Sequence, residues 1–406
     1  MASEGKEGFV PIASFHDLAS VQKMTYRQLG NTGRYVSSLG LGASALGGVF
    51  HDVTEKECIS VVHSALKAGI NVIDTAPWYG QGKSEEMLGK ALKGSLWGSI
   101  PREAYMLNTK VGRYELDVEN MFDFTAERVT KSVEESLARL GLDYIDCIQI
   151  HDMEFCPDLN IIINETLPAL DKLRTAGKVK YIGITGYPLE QFKYVLDVSK
   201  VKIDVALSYC RSTILDSSLD AMVPYFKRKG VAIINAAPTA MGLLTADGPP
   251  EWHPADDEIR ARCAAARAVC KTREIDIARL AIRSSLENEN LSTTLVSFAK
   301  LDLLKANIRN AQEGLSDSEN ETLQYLKTEI FKGNNLHWEG IEVGRYFAEL
   351  GVKLQKKRLY SPKPPAPAAP ASTSSEKKAS EKASGKASEK APEKAPEKAP
   401  EKAPEK

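Results

Sequence analysis

Residues Asn71–Gly80 read NVIDTAPWYG: an apolar run stops at Asp74, and a tyrosine follows five positions later at Tyr79. Burying a carboxylate at the end of an apolar strand is costly unless a partner meets it. The stretch therefore predicts a strand that delivers a charge to a functional edge, followed by a loop that brings a phenol beside it.

Working outward, short β-rich runs alternate with segments of helical period. The runs are VSSLGLG, INVIDTA, AYMLNTKV, YIDCIQIH, VKYIGITG, IDVALSY, VAIINAAP and STTLVSF. Between them lie amphipathic segments such as TEKECISVVHSALKAG, TAERVTKSVEESLARLG and DEIRARCAAARAVCKTREIDIARLAIRSSLEN, several closing on glycine as helices do. Eight such alternations predict an α/β fold, a closed (β/α)8 TIM barrel, with an open doubly wound sheet as the alternative. MTYRQLGNTGRYVSSLG, ahead of the first run, predicts a β-hairpin turning at Asn31, Thr32 and Gly33. GLGASA, Gly40–Ala45, fits a G-x-G-x-x-A phosphate loop on paper. No helix opens inside those glycines, since the next helical period starts near Thr54, so the run reads as the first barrel strand and its loop.

Residues 24–350 form the expected barrel body, and 1–23 a flexible N-terminal extension. From Ser361 to Lys406 the composition collapses to Pro, Ala, Ser, Glu and Lys in EKAP repeats. With no large apolar side chain such a tail cannot offset the entropy of ordering, so disorder is expected there.

Hydrophobic residues make up 43% of the chain and charged ones 26%, with a net charge of -1. That balance suits a soluble protein and supplies no field to draw nucleic acid or an anionic membrane. No basic leader followed by an apolar core, and no apolar run of about 18 residues, is present, so neither a signal peptide nor a membrane span is expected. The six cysteines fall at irregular spacing within apolar patterns, as reduced thiols of a cytosolic protein do. The six histidines show no metal-ligand spacing, which argues against a zinc hydrolase.

Active sites of closed barrels form at the C-terminal strand ends. Asp74 ends the second run with Tyr79 after it, Lys110 ends the third in LNTK, and His151 ends the fourth in IQIHD. Each alone is an ordinary capping, solvated or half-buried residue, but together they converge on one mouth. An ammonium at Lys110 would lower the phenol pKa of Tyr79, Asp74 would hold Lys110, and His151 would position the substrate oxygen. Asp152 and Glu154, just beyond, are read as solvated loop acids rather than sugar ligands.

This tetrad and its order are similar to those of the aldo-keto reductase superfamily, and the chain resembles it from about Tyr26 to Asn307. IHDMEFCPDLNIIINETLPALDKLRTAGKVKYIGITGYPLEQF looks closest to the branch typified by L-galactose dehydrogenase. The resemblance implies a metal-free oxidoreductase that passes hydride between a nicotinamide and a carbonyl or carbinol carbon, with Tyr79 handling the proton. It places Asp74, Thr185, Ser208, Ala236, Ser297 and Asn307 against the cofactor. Thr185-Gly186 and Ser208 stand where relatives carry a Ser-Asn pair and a Gln, and Ala236 where many carry a stacking tyrosine. Ser297 and Leu303 stand where basic residues usually grip a 2′-phosphate, which points to NAD, with NADP also accepted by the fold and Lys300 and Lys305 nearby. Implied partners are a small carbonyl or sugar substrate and, at most, a second copy in a weak homodimer. The functions weighed are oxidation of an aldose to a lactone, broad NADPH-dependent reduction of aldehydes and ketones, and non-catalytic binding like that of channel β subunits.

Overall fold

The computed structural model describes residues 8–351 apart from 50, 95–97, 99 and 334. The EKAP tail lies outside the described residues.

Two short antiparallel strands, β1 (Tyr26–Gln28) and β2 (Tyr35–Ser37), form the expected hairpin. Eight parallel strands follow: β3 (Leu39–Gly42), β4 (Val72–Asp74), β5 (Met106–Val111), β6 (Ile145–Ile150), β7 (Val179–Gly186), β8 (Val205–Tyr209), β9 (Ala232–Ala236) and β10 (Thr293–Ser297). They pair in sequence and close through β10 on β3, each coinciding with one of the eight β-rich runs. Gly40–Ala45 spans the end of β3 and a short turn, and the first long helix, Glu55–Lys67, begins only after a Thr54–Glu57 capping box.

Alternation along the strands sends every second side chain into the lumen. Val72, Met106, Cys147, Val205, Leu207, Ala232, Ile234 and Leu295 fill it, and Leu29 and Val36 of the hairpin pack against them. The hairpin therefore plugs the N-terminal end of the barrel and leaves the opposite mouth for chemistry. Its tip is fixed by Asn31 N donating to Gly230 O at 3.1 Å. The outward faces pack on helices such as Ala126–Leu140, which ends on left-handed Gly141 as its sequence predicts.

One expectation is revised. The segment 8–23 is packed and not a loose extension: Phe9 stacks on Tyr26 at 4.2 Å, Phe15 meets His63 edge-on, and Asp17 caps the helix Leu18–Lys23. Four scattered side chains, Phe9, Phe15, His16 and Val21, are the buried ones in this segment. The long helical pattern after Asp256 is two helices, Asp257–Thr272 and Ile277–Leu286, divided where Glu274 turns left-handed and Asp276 caps the second.

Beyond the helix Leu301–Gln312 the chain crosses to the mouth. Leu336 N donates to Leu215 O and Trp338 N to Tyr187 Oη, at 3.1 and 3.0 Å, and the helix Ile341–Glu349 then lies over the loops after β5 and β6.

Candidate active site

The β4 loop is shaped by close backbone approach. A Cβ on Gly47 would lie 2.6 Å from Tyr79 O and one on Gly80 2.1 Å from Gly47 O, and Gly80 has φ +64°. Only glycine fits at both positions, so the β3 and β4 loops interlock and hold Tyr79 over the mouth.

There the four predicted residues meet. Lys110 Nζ donates to an Asp74 carboxylate oxygen, to Thr75 O at 2.8 Å and to Tyr79 Oη at 3.4 Å. The other Asp74 oxygen accepts from Gln149 Nε2 at 2.7 Å. Lys110 and Asp74 are both 2% exposed, so this pair exists only because each compensates the other. The Tyr79 and His151 rings meet edge to face, centroids 5.9 Å apart. Gln149 escaped the sequence reading, although its place two residues before His151 on an alternating strand puts it on the lumen side.

Electrostatics assign the protons. Burial alone would depress Lys110, but Asp74 and Tyr79 outweigh it and hold the ammonium above its usual pKa. His151 is driven down to about 3, by burial first and then by Lys110 and Arg113 against Asp152, so its imidazole is neutral. The phenol of Tyr79 departs from expectation. Half-buried by exposed area yet densely surrounded, it is raised above its ordinary value by burial, with Lys110 opposing but not winning.

Asp152 and Glu154 are also not as expected: they are buried at 7% and 4% exposure. Asp152 takes a left-handed backbone, φ +49°, and accepts from Arg113 Nη1 at 2.7 Å. Burial pushes its carboxyl up, but His151 and Arg113 hold it below the usual carboxylate range; with the imidazole neutral, the guanidinium is the partner that counts. Glu154 Oε1 accepts from Tyr187 N at 3.0 Å, and burial together with Asp152 raises its pKa well above normal.

The opposite half of the mouth is small and neutral. Thr185 faces the lumen and accepts from Asp152 N at 2.9 Å. Ser208 does not join it. Thr185 is in register with Leu207 and Gly186 with Ser208, and Leu207 belongs to the lumen cluster, so Ser208 turns toward the helices. Ala236 ends β9 at the lumen. Ser297 ends β10 and accepts from Ser44 Oγ and Ala45 N at 2.8 and 2.9 Å. Asn307, in the helix after β10, donates to Leu303 O at 2.9 Å.

After β9, Ala237, Ala240 and Met241 have φ of +55°, +49° and +50°. Left-handed conformations cost such residues of the order of 1–3 kcal/mol each and collect at ligand sites; the N–H groups of Ala240, Gly242, Leu243 and Leu244 are bonded to carbonyls of the same loop, which fixes its shape. This loop and the small Gly42, Ala236 and Ser297 fit the diphosphate and ring of a dinucleotide. Its sequence, AAPTAMG, contains one glycine and gave no sign of the conformation. Among the described residues no cluster of His, Cys, Asp and Glu has metal-binding geometry, and no helix is long and apolar enough to cross a membrane.

The family model described as Aldo/keto reductase family matches residues 38–327. The chain belongs to the aldo-keto reductase family. It is 46% identical to L-galactose dehydrogenase of Arabidopsis thaliana over 318 residues, covering 78% of this chain and 97% of that protein. It is 29% identical to D-arabinose 1-dehydrogenase of Saccharomyces cerevisiae (75% and 93% covered) and 30% identical to D-threo-aldose 1-dehydrogenase of a Pseudomonas species (69% and 90%). Among solved structures, an aldo-keto reductase from Bacillus halodurans in its holo form superposes with a TM-score of 0.61 at 29% identity, covering 75% of this chain and 96% of that one. The protein is thus an oxidoreductase of a family that works with nicotinamide cofactors.

Proposed function

We propose that this protein oxidises an aldose such as L-galactose at its anomeric carbon, giving a lactone, with NAD as the acceptor. The observation that carries this reading is the likeness to the Arabidopsis L-galactose dehydrogenase across nearly that protein's whole length. The nicotinamide, when bound, supplies the hydride acceptor. Tyr79, as the phenolate that Lys110 stabilises, removes the proton from the anomeric hydroxyl as the carbon–oxygen double bond forms, and so becomes the neutral phenol. Asp74 keeps Lys110 charged and aimed, helped by Gln149. Neutral His151 shares the substrate oxygen with Tyr79 and sets its direction.

Thr185, Ala236, Ser297, Asn307 and the 237–242 loop are the residues we assign to the cofactor, bordered by Asp74. NAD is favoured over NADP because the Ser297 hydroxyl is engaged by Ser44 and Ala45, and Leu303 is exposed where a 2′-phosphate would need a cation. A small sugar is the partner, the unit is a monomer or weak homodimer, and the cytosol is the setting, a reading supported by six buried free thiols.

The test is to titrate the protein with NAD and NADP and then screen aldoses, alcohols and aldehydes with the tighter cofactor. Tighter binding of NAD and lactone formation from L-galactose are expected. Tighter NADP binding with turnover confined to simple aldehydes would replace this reading with that of a general reductase.

A further inference from the structure

The tetrad does not use the ion pair that lies just beyond it. Arg113, three residues after Lys110, and Asp152, adjacent to His151, are carried to the mouth by the loops after β5 and β6. Arg113 Nη1 donates to Asp152 Oδ2, and that same oxygen stands 3.7 Å from His151 Nε2. The guanidinium lies over the Trp78 ring at 4.1 Å, and Trp78 immediately precedes Tyr79. Phe122 and Phe155, stacked on each other at 4.5 Å, wall the other side with Tyr346 edge-on.

Two features mark the pair as incompletely used. Arg113 Nε is shut from solvent with no acceptor. Of the Asp152 oxygens only Oδ2 receives a hydrogen bond among the described residues. A buried donor left unmade costs about 1–3 kcal/mol, and a desolvated charge pair repays its burial only when its remaining donors and lone pairs are met. A purely structural pair would be expected to close on itself, as Arg279 does on Glu319, Asn310 and Gly314 O away from the mouth.

We propose that Arg113 and Asp152 form a polyol-recognition subsite in which neighbouring substrate hydroxyls receive hydrogen bonds from the guanidinium and donate to the carboxylate, selecting aldoses over simple alcohols and aldehydes. A hydroxyl both donates and accepts, so it can meet either member of the pair, whereas a plain aldehyde chain can meet neither. The rings of Trp78, Phe122 and Phe155 hold the guanidinium in place and keep the pair partly shielded from water. Asp152 Oδ2 lies 3.7 Å from His151 Nε2, so the subsite adjoins the place where His151 meets the reacting oxygen. The inference rests on the aldose-oxidation reading above.

The test pairs substrate and protein changes. L-galactose and its monodeoxy analogues are compared on the wild-type enzyme and on Asp152→Asn and Arg113→Gln, with NAD affinity measured in parallel. On the wild type, removing at least one hydroxyl lowers kcat/KM by about tenfold or more, as sites built to hold a hydroxyl reject analogues lacking it. In each variant KM for L-galactose rises by about tenfold or more, that penalty shrinks to below about threefold, and NAD affinity stays within about twofold. A penalty of undiminished size in both variants, with kcat lowered alike for every sugar, would show that the pair only positions His151, and would overturn the proposal. A wild type indifferent to every monodeoxy sugar would overturn it without any variant needing to fold. Failure of the wild type to oxidise L-galactose or any other aldose would instead overturn the functional reading, and this subsite with it.

Discussion

The two halves of the barrel mouth are built from different materials. Over β4, β5 and β6 the chain has placed charge in two hydrogen-bonded pairs, Lys110 with Asp74, which also reach Thr75 and Gln149, and Arg113 with Asp152. Over β7, β9 and β10 it has placed almost none, and Thr185, Ala236 and Ser297 offer short side chains beside a strained backbone loop. A group that must move a proton needs a tuned, preorganised field, and the hydrogen-bonded charges of this half supply one. On the cofactor assignment proposed above, a dinucleotide brings its own charges and flat ring, and asks of the neutral half mainly space.

If that division holds, damage to each half should show in a different constant. Tyr79→Phe should lower kcat by about 10²- to 10⁴-fold while the NAD dissociation constant, followed by fluorescence titration, stays within about twofold of wild type. A variant that loses cofactor affinity as well would break the division.

Lys110→Met should abolish turnover to a similar degree and also destabilise the fold by about 3–5 kcal/mol, because the Asp74 carboxylate would be left buried without its cation. Urea denaturation measures this. Asp74→Asn in the same chain should recover part of the stability and none of the activity, since a neutral amide tolerates burial but leaves the phenol without its ammonium.

These two variants touch what was most legible in the sequence. The barrel strands are short apolar runs, and because active sites of closed barrels form at the C-terminal strand ends, the polar residues ending three of them, Asp74, Lys110 and His151, point to one mouth. The neutral half was hard to read for a physical reason: backbone conformation does the work, and alanine or methionine in a left-handed turn leaves no trace in the letters. Ser208 alternates with Leu207 of the lumen cluster, and in a strand one position exchanges lumen for helix layer. The tuning of Tyr79 was misread because proximity of an ammonium is visible in sequence and the opposing cost of burial is not. The folding of residues 8–23 escaped because three scattered apolar side chains have no period.

That packed segment supplies a contrast far from the mouth. Phe15→Ala should cost about 3 kcal/mol of unfolding free energy and leave kcat/KM within about twofold; an unchanged melting temperature would return residues 8–23 to the status of a loose extension.

The smallest effect is a pH dependence. His151 has a folded pKa near 3 against an ordinary 6.5, so the unfolded chain takes up the proton first as pH falls. The stability it contributes is complete above 6.5 and is lost as the pH falls from 6.5 toward 3. His151→Asn should flatten the slope of melting temperature against pH in that window, and an equal slope in both proteins would place the imidazole in a wetter site than described. Because Tyr79 is raised, aldose oxidation should keep climbing through the alkaline range and not level off near neutrality.

The account as a whole turns on what the charged half is tuned for. The most direct measurement is kcat/KM for L-galactose with NAD set against kcat/KM for small aldehydes with NADPH, on the same preparation. A sugar reaction favoured by tenfold or more, about 1.4 kcal/mol of transition-state binding, is the predicted result. An aldehyde reaction favoured by the same margin would contradict it.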